Sequence, residues 1–300
     1  AGWGFDHIRL PVDEEQMWAE DGTRESEAFD LLNNALDWCA EAGINCIVDL
    51  HIIRSHHFLM KEEPALYTDP AEMARFTDLW RDLSAALNTR PVTTVAYELL
   101  NEAVAHDPER WNVVAHQAFD AIRALEPERK ILMGSNQFCQ VQTFPDLKIP
   151  DDDHAILTFH FYNPMAITHY KAGWMDLKAY TGPIQYPGQT IPDHAISELE
   201  TVIENGRKYV EQFNRDEIMR QVRIAYDEAQ QHDKPLYCGE LGVIFYTPDD
   251  IRARWYADIV SVFEELGIGW ANWDYKGGFG LLQRDGITET GVHKILLGKG

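Results

Sequence analysis

Two glutamates at the ends of separate apolar runs are the residues in this sequence best placed to do chemistry. One run is "TVAYELLN" (94 to 101), which stops before Glu102; the other is "PLYCGELGV" (235 to 243), which carries Glu240. Asn101 precedes Glu102, and further apolar runs carry Arg9, His51, His160 with Tyr162, and Trp273 at or near their ends. A strand that only builds core more often ends in Gly, Asn or Asp, so one such end means little and the set together makes a constellation. Two carboxylates on different strands, with a cation, imidazoles and an amide beside them, suit a reaction in which one carboxyl gives up a proton while the other stays ionised. The plain alternative for Glu102 is a solvated loop residue ahead of the next helix, and Glu240 argues against it. Glu98 lies four residues deeper, about 13 Å down a strand at ~3.3 Å per residue. It reads as an interior carboxylate paired with a cation.

The elements that must position these residues repeat one rhythm. Strand-like runs stand at 5 to 12, 45 to 51, 94 to 101, 130 to 136, 155 to 163, 235 to 243 and 268 to 275. Between them lie runs with apolar residues three and four apart, at 28 to 43, 71 to 87, 109 to 127, about 196 to 232, and 248 to 267, which read as helices. The strands are apolar nearly throughout, as strands covered on both faces must be. Alternation of this kind means right-handed crossovers and a parallel sheet. No strand leads through a Gly-rich phosphate loop into its helix, which counts against a dinucleotide site. The expected fold class is α/β, a (β/α) barrel, in which chemistry gathers where strands end. Neighbours on a regular strand face opposite ways, so the pleat has to end or bulge at Asn101-Glu102 for both to reach one cleft.

Composition narrows the partners. Three hundred residues at 45% hydrophobic can form a single barrel domain over 1 to 300. Asp and Glu number 49 against 26 Lys and Arg, which repels a phosphate backbone and speaks against nucleic acid. The apolar runs fall short of the ~18 residues of a membrane span. No basic-then-apolar leader stands ahead of Gly2-Trp3, so any signal segment is expected to be absent or removed. Cys39, Cys46, Cys139 and Cys238 show no CxxC spacing and read as core thiols, which leaves the compartment open.

The ordered set "GFDHIRLPV", "YELLNEA", "HFY", "YCGELG" and "WANWDYKGGFGLL", from residue 4 to about 286, resembles glycoside hydrolase family 5, the retaining endoglucanase family of a (β/α)8 clan. The resemblance implies Glu102 as acid/base and Glu240 as nucleophile. It implies Arg9, His51, Asn101, His160 and Tyr162 as the supporting shell, and Trp273 as the platform under the sugar. It further implies a cellulose-type or mixed-linkage β-glucan as partner, with mannan as runner-up, no cofactor and no metal. A polymeric substrate of this kind implies a secreted or periplasmic enzyme. Retention needs one carboxylic acid to protonate the leaving oxygen and one carboxylate to attack the anomeric carbon. Arg9 and the Tyr162 hydroxyl could hold Glu240 as an anion, and His160 could position or tune Glu102. Many members carry Pro after the acid/base where Ala103 stands here, and some carry a second His where Ile52 stands.

Several readings sit beside this one. His56 and His57 could line the cleft or pack a loop. The long segment from 162 to 193 carries Trp174, Tyr180 and Tyr186 and is expected to wall the cleft. Asp49, His51, His56 and His57 could instead hold a metal for a metal-dependent hydrolase, though neither HxH nor HExxH spacing occurs. A non-catalytic carbohydrate-binding barrel is the third class. The family's acid/base sits on the fourth strand of eight, whereas Glu102 follows the third countable strand here. The chain therefore reads as a barrel lacking what the family would count as its first strand and helix. Open sheet edges at 5 to 12 and 268 to 275 are then expected, covered most simply by a homo-oligomer.

Overall fold

The computed structural model describes residues 2–59 and 62–298. Nine strands occur among them: β1 (His7–Asp13), β2 (Asn45–Ile52), β3 (Val95–Glu98), β4 (Ile131–Gly134), β5 (Ala155–Phe161), β6 (Gly188–Gln189), β7 (Gln212–Phe213), β8 (Leu236–Leu241) and β9 (Gly269–Asn272). The five long helices are α1 (Ser26–Glu41), α2 (Pro70–Leu87), α3 (Pro108–Leu125), α4 (Arg215–Gln231) and α5 (Asp249–Leu266). The sheet order is β1-β2-β3-β4-β5-β8-β9, seven strands as read from the sequence, and β6 and β7 form a separate pair.

The chain divides into two compact units, Ala1–Phe159 with Asp227–Tyr237, and His160–Tyr226 with Cys238–Gly300. In the first unit β1 to β5 pair in sequence order and in parallel. Beyond them the Leu157 N–H reaches the carbonyl of Pro235, just ahead of β8, at 2.9 Å. Its helices begin where local chemistry dictates. Asp69 and Asp107 each accept a backbone N–H two residues on, at 2.8 and 3.0 Å, and proline follows each as the first helical residue. This is why α3 starts at Pro108. α1 buries Phe29, Leu32, Leu36 and Cys39 along one stripe and is followed by Gly43 at φ +67°.

In the second unit the Trp273 N–H bonds the Leu241 carbonyl at 2.8 Å, joining β9 to the end of β8. Between β5 and α4 the unit carries a small body with its own core of Tyr170, Leu177, Tyr180, Ile191, Leu199 and Tyr209. Two expectations change here. The helix expected from 196 to 232 is broken: Ile196–Val202 forms one short helix, Asn205 turns left-handed at φ +56°, and β7 intervenes before α4. Gly206 sits so close to Leu199 that an added Cβ would lie 2.9 Å from its side chain, so the chain folds back there. The second change concerns Tyr180 and Tyr186, expected to wall a cleft. Both are buried, Tyr180 with its hydroxyl on the Pro183 carbonyl and Tyr186 with its hydroxyl on Asp258. Their rings hold the second unit together and leave no face for a ligand.

The strand register of the first unit fixes a buried ion cluster. Asp49 stands opposite Glu98 across β2 and β3, and Arg9 reaches both from β1. Its Nε and Nη2 donate to the two oxygens of Glu98 at 2.7 and 3.0 Å, and Nη2 lies 3.0 Å from Asp49 Oδ2. The three side chains are 3% exposed or less, and Glu98 is the paired interior carboxylate that was expected. Removing one partner of such a cluster leaves charge buried and uncompensated. Arg9→Met should therefore cost about 3–5 kcal/mol of stability, seen as an earlier thermal midpoint, and adding Glu98→Gln should recover part of it. An unchanged midpoint in Arg9→Met would show that the cluster contributes little to the fold.

Candidate active site

The first unit presents Glu102 through a backbone that leaves its strand in steps. The β3 ladder ends at Glu98, yet Leu99 N–H still bonds Leu132 O at 3.1 Å and Asn101 N–H still bonds Leu50 O at 3.2 Å. Glu102 then takes φ +46°, a left-handed conformation uncommon for a residue with a side chain. The pleat stops at Asn101-Glu102, as the need to turn both residues the same way required. Asn101 is buried, and its Oδ1 accepts from Arg9 Nη2 at 3.0 Å. That bond fixes the amide, leaving Nδ2 as the group able to donate elsewhere.

Around Glu102 the charges oppose one another. Burial raises its carboxyl from the ordinary 4.5 to about 7; His51 and Arg9 pull it down, and Asp49 pushes it up. His51 is itself oriented by Asp49, whose Oδ2 lies 2.6 Å from His51 Nδ1. Asp49 thus divides one oxygen between Arg9 and His51. A carboxyl raised to about 7 keeps its proton in mildly acidic water and can still release it, which is the condition a general acid must meet.

The two further histidines of the β2 loop behave differently. His56, offered as a cleft residue, is fully buried, edge-on to the Tyr67 ring at 5.7 Å. Burial lowers its pKa to about 3, so it is a neutral packing residue. His57 is half-buried, stacks on Phe58 at 4.8 Å and accepts the Leu59 N–H at 3.1 Å.

The second unit presents Glu240, buried on β8, whose Oε2 accepts the Tyr162 hydroxyl at 2.9 Å. His160 Nδ1 lies 3.7 Å from the same oxygen. Tyr162 is wedged by His169 at 5.1 Å and Phe279 at 5.9 Å between ring centroids, so the hydroxyl is aimed by packing. Trp273 packs in the same group, and its carbonyl lies where a Cβ on Gly242 would come within 2.5 Å, so only glycine fits there. Trp174 remains more than half exposed at the edge of this aromatic group, 5.9 Å from His169 and 6.1 Å from Phe279. His169 and Phe279 were not singled out in the sequence. His169 lies in the long insert with no spacing signal, and burial lowers its pKa to about 4.

Comparison with known proteins accounts for both halves. The family model Cellulase (glycosyl hydrolase family 5) matches residues 1–278. Endoglucanase C of Acetivibrio thermocellus is 32% identical over 284 residues, covering 91% of this chain and 80% of that one. Cellodextrinase A of Ruminococcus flavefaciens is 28% identical over 270 residues, covering 89% of this chain and 74% of that one. A hyperthermophilic endo-β-1,4-glucanase solved in complex with substrate superimposes with a TM-score of 0.78 at 22% identity, over 99% of this chain and 86% of that one. A Thermotoga maritima Cel5A structure with mannotriose gives 0.79 at 21% identity, over 99% of this chain and 86% of that one. The fold is thus the (β/α) barrel type, here with seven strands in its sheet. With strand ends that carry Glu102 and Glu240 and a match over most of its length, the chain is a glycoside hydrolase that belongs to family 5.

Proposed function

We propose that this enzyme is a retaining endo-β-glucanase that cleaves β-1,4-glucosidic bonds in cellulose-type or mixed-linkage β-1,3-1,4-glucan, with Glu102 and Glu240 acting on one bond. The observation that carries the reading is the contrast between the two carboxyls. Burial raises the Glu102 carboxyl to about 7, so it holds its proton below that pH, whereas Glu240 accepts a phenolic O–H from Tyr162.

In the first step a Glu240 oxygen attacks the anomeric carbon, the bond to the leaving O4 breaks, and the Glu102 proton passes to that oxygen. In the second, Glu102, now a carboxylate, takes a proton from water while the water oxygen attacks the same carbon and frees Glu240. Asn101, whose Oδ1 is spent on Arg9, offers Nδ2 to the sugar 2-hydroxyl, a bond that strengthens as positive charge grows on the ring. Tyr162 holds the nucleophile until attack, and His160 stands beside the same oxygen. Trp273 supplies the stacking face, and Trp174 an exposed one for further sugar units. The curated relatives named endoglucanase support a glucan substrate, and the mannotriose complex of the Thermotoga protein keeps mannan as the alternative. Reducing-sugar release from carboxymethylcellulose, barley β-glucan, lichenan, xylan and glucomannan separates the two. A polymeric substrate supports a secreted or periplasmic enzyme. Self-association through the end strands of the sheet is a further part of the proposal, to be read by light scattering.

Glu240→Gln should abolish turnover with the fold intact. Glu102→Ala should lose roughly 100- to 10,000-fold in kcat on polysaccharide while keeping far more kcat/KM on aryl cellobiosides, whose leaving groups need little protonation. Equal loss on both substrates would remove the acid/base assignment, and product of inverted anomeric configuration by NMR would remove the retaining mechanism.

The raised pKa also has a sign. The acid form of Glu102 is required, so kcat/KM on polysaccharide should fall as pH rises through about 7. The folded carboxyl binds its proton more tightly than the unfolded one, so its effect on stability is favourable below about 4.5 and is lost as pH rises toward 7. Glu102→Gln should accordingly gain in thermal midpoint relative to the native enzyme between pH 4.5 and 8, and a constant difference across that range would contradict the raised pKa.

A further inference from the structure

Family members commonly stiffen the chain after the acid/base with proline, and Ala103 lacks that restraint. The left-handed Glu102 nevertheless has to be over-determined by its surroundings, because such a conformation is costly for a residue with a Cβ. The restraint is found in hydrogen bonds to the next four residues. Ala103 O accepts the Phe138 N–H at 3.0 Å, and Val104 N–H donates to the Tyr67 hydroxyl at 3.1 Å. Ala105 N–H donates to Asn136 Oδ1 at 2.9 Å, and Ala105 O accepts both Asn136 Nδ2 and Gln137 Nε2 at 2.8 Å. His106 N–H donates to Glu63 at 3.1 Å.

Asn136 is the centre of this set. Its buried carboxamide pairs with Ala105 as a second peptide would, satisfying donor and acceptor together. The segment that carries it is itself strained: Gln137, Phe138 and Cys139 are all left-handed, at φ +50°, +66° and +54°, where such residues normally occur singly. That turn is what brings the Phe138 N–H onto Ala103. It closes against Gly134, where an added Cβ would lie 2.6 Å from the Cys139 sulfur. The Cys139 thiol in turn lies near Glu98 and Glu102, whose carboxylates add to the effect of burial in raising its pKa.

We infer that Asn136 is a positioning residue for the acid/base: its carboxamide, with the Tyr67 hydroxyl, clamps residues 103–105 so that the left-handed turn at Glu102 aims its carboxyl at the leaving oxygen. This rests on the acid/base reading of Glu102. A residue that merely packs would affect stability and leave the substrate dependence of turnover unchanged, whereas a clamp on the proton donor affects the proton-dependent step selectively.

The test compares Asn136→Ala and the milder Tyr67→Phe with Glu102→Ala, on barley β-glucan and on 2,4-dinitrophenyl β-cellobioside. Circular dichroism and the thermal midpoint establish which variants are folded. Asn136→Ala is expected to lose roughly 100-fold in kcat on glucan, with little change in KM and with kcat/KM on the aryl substrate largely kept. Tyr67→Phe, which deletes one bond and keeps the ring, is expected to lose roughly 10-fold on glucan with the same selectivity. The alkaline limb of kcat/KM should move to lower pH in both, because a loosened turn admits water to a carboxyl whose neighbours His51, Arg9, Asp49 and Cys139 are otherwise unchanged. Should Asn136→Ala fail to fold, Tyr67→Phe decides alone. Folded variants that keep full glucan turnover, or that lose equally on both substrates while Glu102→Ala shows the split, would overturn the positioning role and leave the acid/base reading standing. Absence of the split in Glu102→Ala itself would remove both.

Discussion

The Arg9 guanidinium is the interaction on which the acid side of this site depends. One buried cation from β1 is divided among Asp49, Glu98 and Asn101, on β2, β3 and the turn beyond β3. Charges out of water are tolerated only when paired and hydrogen-bonded, and three carboxylates with one guanidinium would be a poor balance. The balance is met by a Glu102 carboxyl that burial raises to about 7, neutral below that pH, and by a hydrogen bond between His51 and Asp49. Arg9 therefore does three things with one planar fork: it neutralises the interior, orients the Asn101 amide, and limits how far burial can raise Glu102. Lysine, a point charge without that fork, could not make the paired bonds to Glu98 and still reach Asn101.

Glu240 is treated by different physics. It accepts from a phenol aimed by rings, with His160 beside the same oxygen and His169 kept uncharged by burial behind the ring. The hydrogen bond from a phenol is given up at small cost when the oxygen bonds carbon. The acid is governed by desolvation against His51 and Arg9, and the nucleophile by the Tyr162 hydroxyl and the nearby His160 in an aromatic setting. This division gives two identical side chains different surroundings.

Much of this is legible in the sequence. The strands could be read because burial on both faces leaves them apolar, and α2 and α3 because their apolar residues recur three and four apart. Glu102 and Glu240 stood out because a charged residue at the end of such a strand has to be accounted for. Tyr180 and Tyr186 were misread because an aromatic in a long Pro- and Gly-containing segment looks the same whether its ring faces a core or a ligand. What settles it are partners such as Leu199, Tyr209 and Asp258, many residues away. Asp49 was noticed only as a possible metal ligand, since its true partners, Arg9 and His51, depend on strand register and side-chain reach. The left-handed run Gln137–Cys139 had no signal at all, because none of its residues is the glycine that such a backbone normally calls for.

That run also explains why the Pro-to-Ala departure after the acid/base need not weaken the site. Proline restrains a chain by covalent limits on φ, at no cost in partners. The same restraint can be assembled from hydrogen bonds if another segment is itself held in an unfavourable conformation to supply them. Here Gln137–Cys139 stays left-handed under the close packing of Gly134, and in return the segment after Glu102 has its polar backbone groups met by Phe138, Tyr67, Asn136 and Glu63. Glu102 stays left-handed, and the run that holds it is left-handed too and ends on the buried Cys139. Such an arrangement is stiff only while every bond is made, so it is more sensitive than proline to a single polar substitution. It also places the control of the acid/base on β4 and the loop beyond it, where no carboxylate would draw attention.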